Sequence, residues 1–318
     1  MTAALQGLHQ NEADYVWPEV QAVDLSYVTR VHSQDQVRLI TELAQTGGGW
    51  VDPDTFVVPA SYDAALLAVG AAMQATSDVL AGLQRNAFVI VRPPGHHATR
   101  SRAMGFCLFN NVAVAARWAL DEGGAQRVAV LDVDVHHGNG TQDIFYDCPE
   151  VLYYSTHQYP FYPGTGRIEE VGQNDGMGTT VNVPLAAGSR DGVFLDATRR
   201  VLLPAVRRFR PDVILVSLGF DAHWADPLAQ MRLTTSGYGE ILTEIKALAD
   251  ETCGGKLVFL LEGGYDLDVI EAGAGLAGSV LTGKTRPPDR IGAAPAGPEP
   301  AASSAAVAAA VETHQLQA

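Results

Sequence analysis

The sequence is poor in cysteine, has no run of apolar residues long enough to span a bilayer and shows no concentration of positive charge, and each absence narrows what the chain can be. Its three cysteines, Cys107, Cys148 and Cys253, are too few and too scattered for a disulfide framework, and none stands in a Cys-x-x-Cys spacing. A reducing compartment is therefore expected. Lys and Arg number 21 against 36 Asp and Glu, for a formal net charge of -15. Phosphate neutralisation needs clustered cations, so this balance argues against a nucleic-acid partner. An acidic surface would attract a basic peptide or a polyamine, although such surfaces commonly do no more than keep a protein in solution. The N-terminus lacks the basic-then-apolar layout of a signal peptide, and a bilayer would demand about 20 consecutive apolar residues. The expectation is a soluble, cytoplasmic protein without a membrane partner.

What the sequence does have is material for a large core: 318 residues, 47% of them apolar. Short β-branched runs at 88–91, 128–133, 151–154, 213–217 and 257–261 are apolar on both faces, as buried parallel strands are. Ala-rich helical stretches at 110–120, 191–209 and 236–249 lie between or beyond them. The alternation predicts one α/β domain, a parallel sheet flanked by helices, over residues 1–284. From about residue 285 the chain turns rich in Pro, Ala and Gly, so residues 285–318 read as a peripheral tail, with a short Ala-rich stretch near 305–311.

In an open parallel sheet ligands bind at the carboxyl ends of the strands. The polar residues cluster after strand ends: His96 and His97, Asp132 to His137, Asp221 and Asp226, and Glu262 to Tyr265. In LDVDVHHGNG, Asp132, Asp134 and His136 alternate, and residues two apart on a strand project to one side. Such a group is either a metal site or a hydrogen-bonded strand terminus. Asp226 precedes Pro227 in a loop, and two carboxylates plus one histidine would leave a fourth metal position open for water or substrate. His96 and His97, after a Pro-Pro-Gly turn, suit acid-base work, and the Tyr265 phenol could donate to an oxyanion.

The segments VRPPGHHA, GFCLFNN, VAVLDVDVHHGNGTQDIFY, SLGFDAHWADPLAQMRLT and LEGGYD, in that order from about residue 16 to 281, closely resemble the histone deacetylase superfamily; the DAHxxDP form is similar to its class II and bacterial members. The resemblance implies the single-domain arginase-deacetylase fold with its active site at the carboxyl ends of the strands. It places zinc ligands at Asp134, His136 and Asp226. It implies that Asp132 orients His96, that His97 is general base and acid with Asn139 as its partner, and that Tyr265 is the family tyrosine. An asparagine at 139, where other members carry Asp, implies a less basic His97. By the same resemblance Phe106 and Tyr162 flank an acyl-lysine stem, the Gly105 carbonyl accepts the scissile amide hydrogen, and a potassium ion lies near Asp132, Asp134 and Ser155.

The implied activity is hydrolysis of acetyl-lysine or a similar acylated amine, releasing a short acid. At the place where polyamine-selective relatives carry an acidic gatekeeper stands Leu233, which ranks acyl-lysine ahead of acetylpolyamine. Arginases share the fold but use two manganese ions and more ligands, and a silent acyl-binding module would not require the full set of residues. Family members usually open with a strand and a His-Pro-Glu loop upstream of the segment that reads LSYVTRVHS here. This sequence lacks that loop, so part of the rim and an edge strand are expected to be missing or supplied by another subunit of a homo-oligomer.

Overall fold

The computed structural model describes residues 15–316; residues 1–14 and 317–318, which fall in the two expected segments, lie outside the described residues. Six strands form one parallel sheet, β3 (Asn86–Val89), β4 (Val128–Asp132), β5 (Val151–Gln158), β6 (Thr180–Leu185), β7 (Val213–Leu218) and β8 (Leu257–Leu261), in the order β3-β8-β7-β4-β5-β6. A separate antiparallel hairpin pairs β1 (Gly49–Asp52) with β2 (Thr55–Val57). The helices among the described residues are α1 (Leu25–Val28), α2 (Gln34–Gln45), α3 (Ser61–Leu80), α4 (Asn111–Asp121), α5 (Asn139–Phe145), α6 (Asp191–Ala197), α7 (Leu203–Phe209), α8 (Thr235–Cys253), α9 (Leu267–Thr282) and α10 (Ala301–Thr313). None of them is long and apolar enough to cross a membrane.

The strands are apolar throughout because both faces are covered, and alternate residues enter different cores. Val128, Val130, Tyr153, Leu215 and Val258 pack with Val69, Ala72, Val112 and Ala116 of α3 and α4. Ala129, Leu131, Tyr154, Val216 and Phe259 pack on the other face with Leu242, Ile245 and Leu276 of α8 and α9. After β4 the chain adds β5 and β6 outward on one side, then returns to place β7 and β8 on the other side of β4. The β4–β7 junction is thus a topological switch point, where loops diverge and leave a crevice. The loops bearing Asp134 and Asp226 both leave from it.

The five expected strands are present, with β5 extended to Gln158. β6, Thr-Val-Asn-Val-Pro-Leu, was not anticipated: Asn182 and Pro184 disguise it, and a proline is tolerated because β6 lies at the sheet edge. The helix expected over 191–209 forms, but residues 198–202 make a π turn ahead of Pro204, which has no amide hydrogen to continue the ladder.

The expectation of a peripheral C-terminal stretch is corrected. Val307 and Ala310 of α10 are fully buried in the core on the α8–α9 face of the sheet, and the Ser303 hydroxyl accepts the Ala186 amide hydrogen at 3.0 Å. An alanine-rich helix carries too little periodic contrast to reveal which face it buries. Val307→Asp should therefore destabilise the fold by about 3 kcal/mol or more, the cost of an unpaired buried charge, and lower the thermal midpoint clearly. An unchanged midpoint would return the helix to the periphery.

Candidate active site

Only Asp132 of the Asp132–Asp134–His136 series lies in a strand. The rest is drawn together by successive side-chain turns, which corrects the expected strand alternation. The Asp132 carboxylate accepts the Asp134 amide at 3.2 Å, and the Asp134 carboxylate accepts the His136 amide at 2.9 Å. Each acid thus closes a turn on the residue two further on, a habit of aspartate wherever the backbone leaves regular structure. Val135 points its amide the other way, onto Asp221 Oδ1 at 2.9 Å, and so ties this loop to the one after β7.

Among the described residues, the donor atoms of Asp134, His136 and Asp221 lie within 4.8 Å of one another. This group contains Asp221 where the resemblance placed Asp226. His136 Nδ1 sits 3.1 Å from Asp221 Oδ2 and 3.2 Å from Asp134 Oδ1, so this nitrogen faces the carboxylates. Asp221 spends both its oxygens on Val135 and His136. Asp226 is fixed from below by the amides of Leu228 (2.9 Å), Tyr265 (2.7 Å) and Asp266 (3.3 Å), and it lies near enough to Asp134 to feel its charge.

The histidine pair is held from a different strand. Gly95 and His96 donate their amides to Glu262 Oε2 at 2.7 and 3.2 Å, and Ser217 donates to Glu262 Oε1 at 3.0 Å. Glu262 therefore clamps the loop after β3 to β7 and β8, a task its sequence position just past an apolar run did not disclose. His96 Nδ1 lies 3.0 Å from Asp132 Oδ2, and His97 Nδ1 lies 2.8 Å from the Asn139 side-chain oxygen. An amide oxygen can only accept, so Nδ1 of His97 carries the hydrogen and Nε2 is left as a base.

Two neighbours in sequence thus have opposite electrostatics. Burial opposes a charge on His96, but the Asp132 and Asp134 carboxylates outweigh it and push the ring up to about 10. His97 is held well below the usual histidine range by burial, then by His96 and His136. On His136 burial is again outweighed, by hydrogen bonds to Asp134 and Asp221, which push it up to about 10. Burial and the Asp134 charge raise Asp221 to about 7. Asp132, Asp134, Asp221, Asp226 and Glu262 are all buried. The excess of negative charge that holds a proton on His136 would hold a divalent cation in its place, so the residues present fit a metal ion.

The remaining predicted residues lie close to the site, with one exception. Tyr162 packs its ring edge-on to His97, centroids 5.1 Å apart, and Phe106 lies 6.0 Å from the Tyr265 ring. Phe106 has a left-handed φ of 66°, rare for a bulky residue, and is held there by its amide on Thr55 Oγ1 at 2.9 Å. The Gly105 carbonyl accepts a hydrogen bond from the Cys107 thiol at 3.3 Å. The Ser155 hydroxyl is 2.9 Å from His157 Nδ1. Phe161, not singled out in the sequence, stacks on His136 at 5.4 Å. Leu233 is the exception: it is only 1% exposed, turned into the core by backbone hydrogen bonds to Ala222 and Trp224, and is not an open rim residue.

Comparison with known proteins converges on one family. The histone deacetylase domain matches residues 1–281. The chain is 41% identical over 265 residues to histone deacetylase 10, chloroplastic, of Oryza sativa subsp. japonica, covering 80% of this chain and 60% of that protein. It is 41% identical over 263 residues to a probable deacetylase of Archaeoglobus fulgidus, covering 83% and 72%. A histone deacetylase-like amidohydrolase of Pseudomonas aeruginosa is 44% identical over 237 residues, covering 74% and 62%. The chain thus spans less than two thirds of the rice and Pseudomonas proteins. Its structure superposes on the crystal structure of the HDA15 HD domain with a TM-score of 0.89 and 36% identity, over 98% of this chain and 85% of that one.

The asymmetry of the histidine pair is open to a direct check. Replacing Asn139 by Asp sets a carboxylate against His97 Nδ1, and an anion favours the imidazolium, so the His97 pKa should rise by about 1–3 units. Histidine-resolved NMR titration of parent and variant measures this. An unmoved or lowered His97 would contradict the contact at Nδ1.

Proposed function

The chain belongs to the histone deacetylase family, and from that premise we propose that it is a zinc-dependent deacylase, hydrolysing the amide of an acylated lysine side chain or a similar acylated amine. One observation carries the reading: a neutral His97, with its Nδ1 hydrogen committed to Asn139, stands with its ring centroid 5.8 Å from that of His136 in a buried acidic cluster. A base next to a cation site is what activation of water for amide hydrolysis requires.

Asp134, His136 and Asp226 would hold the ion, with Asp221 fixing the loop between Asp134 and His136 through the Val135 amide. Two carboxylates and one imidazole with an open fourth position are donors that suit a catalytic zinc. The bound ion would supply Lewis acidity towards water and the substrate carbonyl. His97 Nε2 takes the proton from the attacking water. Tyr265, whose hydroxyl is kept protonated by burial and by the Asp221 and Asp134 charges, donates a hydrogen bond to the tetrahedral oxyanion. His97 then returns its proton to the departing amine, and a short carboxylic acid is released. Phe106 and Tyr162 would flank the methylene stem, which apolar ring faces suit.

The names of the relatives support acyl-lysine as the substrate. The buried position of Leu233 removes the sequence-based reason for preferring it over an acetylpolyamine. Hydrolysis rates of an acetyl-lysine peptide and acetylspermidine on the purified, zinc-loaded protein test the assignment. Faster turnover of the polyamine would overturn it, and no turnover of either would favour a silent binding module.

Three further outcomes are expected. Tyr265→Phe should retain zinc and lose about 10²- to 10³-fold in kcat, the loss typical of one oxyanion donor. Asp226→Asn should abolish zinc binding, whereas Asp221→Asn should weaken it by about 10- to 100-fold, as loss of an orienting partner does. Chelator competition distinguishes these, and the reverse order would make Asp221 the ligand. His97 works as the neutral base, so activity is lost as pH falls through its pKa; because that pKa is lowered, the acid limb of kcat/KM should lie below 6.5.

A further inference from the structure

The family match ends at residue 281, yet the chain beyond it runs back over the loop between β7 and α8, residues 219–234, which carries Asp226. That loop is folded on itself, with the Trp224 amide on the Leu233 carbonyl at 2.9 Å and the Asp226 amide on the His223 carbonyl at 3.0 Å. Asp289 accepts the amides of Ile291 and Gly292 at 3.0 and 2.9 Å, in a turn that presents the Gly292 carbonyl to Trp224 Nε1 at 3.1 Å. The carbonyl of Ala296 then takes Arg232 Nη1 at 3.2 Å, and that of Pro295 takes Arg190 Nη1 at 2.7 Å. Beyond them Ser303 anchors the start of α10 to Ser189, oxygen to oxygen at 2.7 Å. The stretch between α9 and α10 forms no helix or strand, so its carbonyls are left to meet outside donors, and here the loop supplies them.

We propose that residues 289–303 act as a strap that positions the Asp226 loop for metal binding, with Trp224 and Arg232 as the positioning residues. Trp224 stands two residues before Asp226, inside the turn closed by the bond between Asp226 and His223, so its indole fixes where that carboxylate sits. The Tyr265 and Asp266 amides hold the Asp226 carboxylate itself, and the strap holds the loop that carries it, through Trp224 and Arg232. The proposal rests on the reading of Asp226 as a ligand.

The test uses the full chain loaded with zinc. Trp224→Phe keeps the aromatic bulk and deletes the Nε1 hydrogen; Arg232→Met keeps the stem and deletes the guanidinium. Each should speed zinc loss into excess chelator about fivefold, the effect of one hydrogen bond. Each should also speed hydrogen exchange at the amides of residues 222–228 by a similar factor, leaving those of β4 unchanged. A strap with only a structural role would lower the melting temperature and leave both rates as in the parent, and that result overturns the proposal. If the parent takes up no zinc, the proposed function fails, while exchange at residues 222–228 in the metal-free variants still decides whether the strap holds the loop.

Discussion

The structure is organised around an electrostatic problem at the β4–β7 switch point, where five carboxylates, Asp132, Asp134, Asp221, Asp226 and Glu262, are gathered out of water. Burying even one unpaired carboxylate costs several kcal/mol, so each must be met by donors. The donors are largely backbone amides: Asp134 and His136 turned onto the preceding acids, Val135 onto Asp221, Gly95 and His96 onto Glu262, and Tyr265 and Asp266 onto Asp226. Loops from four strands are thereby locked together by charge, and the local negative excess makes a place for a cation.

Close approach of backbone to carboxylate sets a steric condition as well. A Cβ on Gly219 would collide with the Asp134 carboxylate, and one on Gly263 with Asp221. Gly263 uses that closeness to donate its amide to Asp134 Oδ2 at 2.7 Å. These two glycines are needed for lack of bulk, since backbone and carboxylate could not otherwise meet.

The same cluster separates the roles of the histidines. His96 faces Asp132 and is held charged; His97 faces an amide oxygen and two imidazoles and is held neutral. Identical side chains one residue apart thus acquire different chemistry from the partners across the loop. Phe161 stacks on His136, and Tyr162 meets His97 edge-on, so two of the site's imidazoles are each packed against an aromatic ring.

The sequence by itself determined the class of fold, since strands buried on both faces must be apolar at every position and so announce a helix-covered parallel sheet. It also determined which residue types collect at strand ends; the pairings of His96 with Asp132 and His97 with Asn139, which only the family resemblance implied, are present as contacts. It did not disclose β6, whose proline is tolerated only because the strand lies at an edge, nor the buried face of α10, whose alanines look alike on all sides. Only the tertiary structure decided how Asp221 and Glu262 are used and that Leu233 turns inward, because each depends on which distant amide or carbonyl the loop meets. Local pattern sets what a residue can offer; the hydrogen-bonding partner brought by another strand sets what it does.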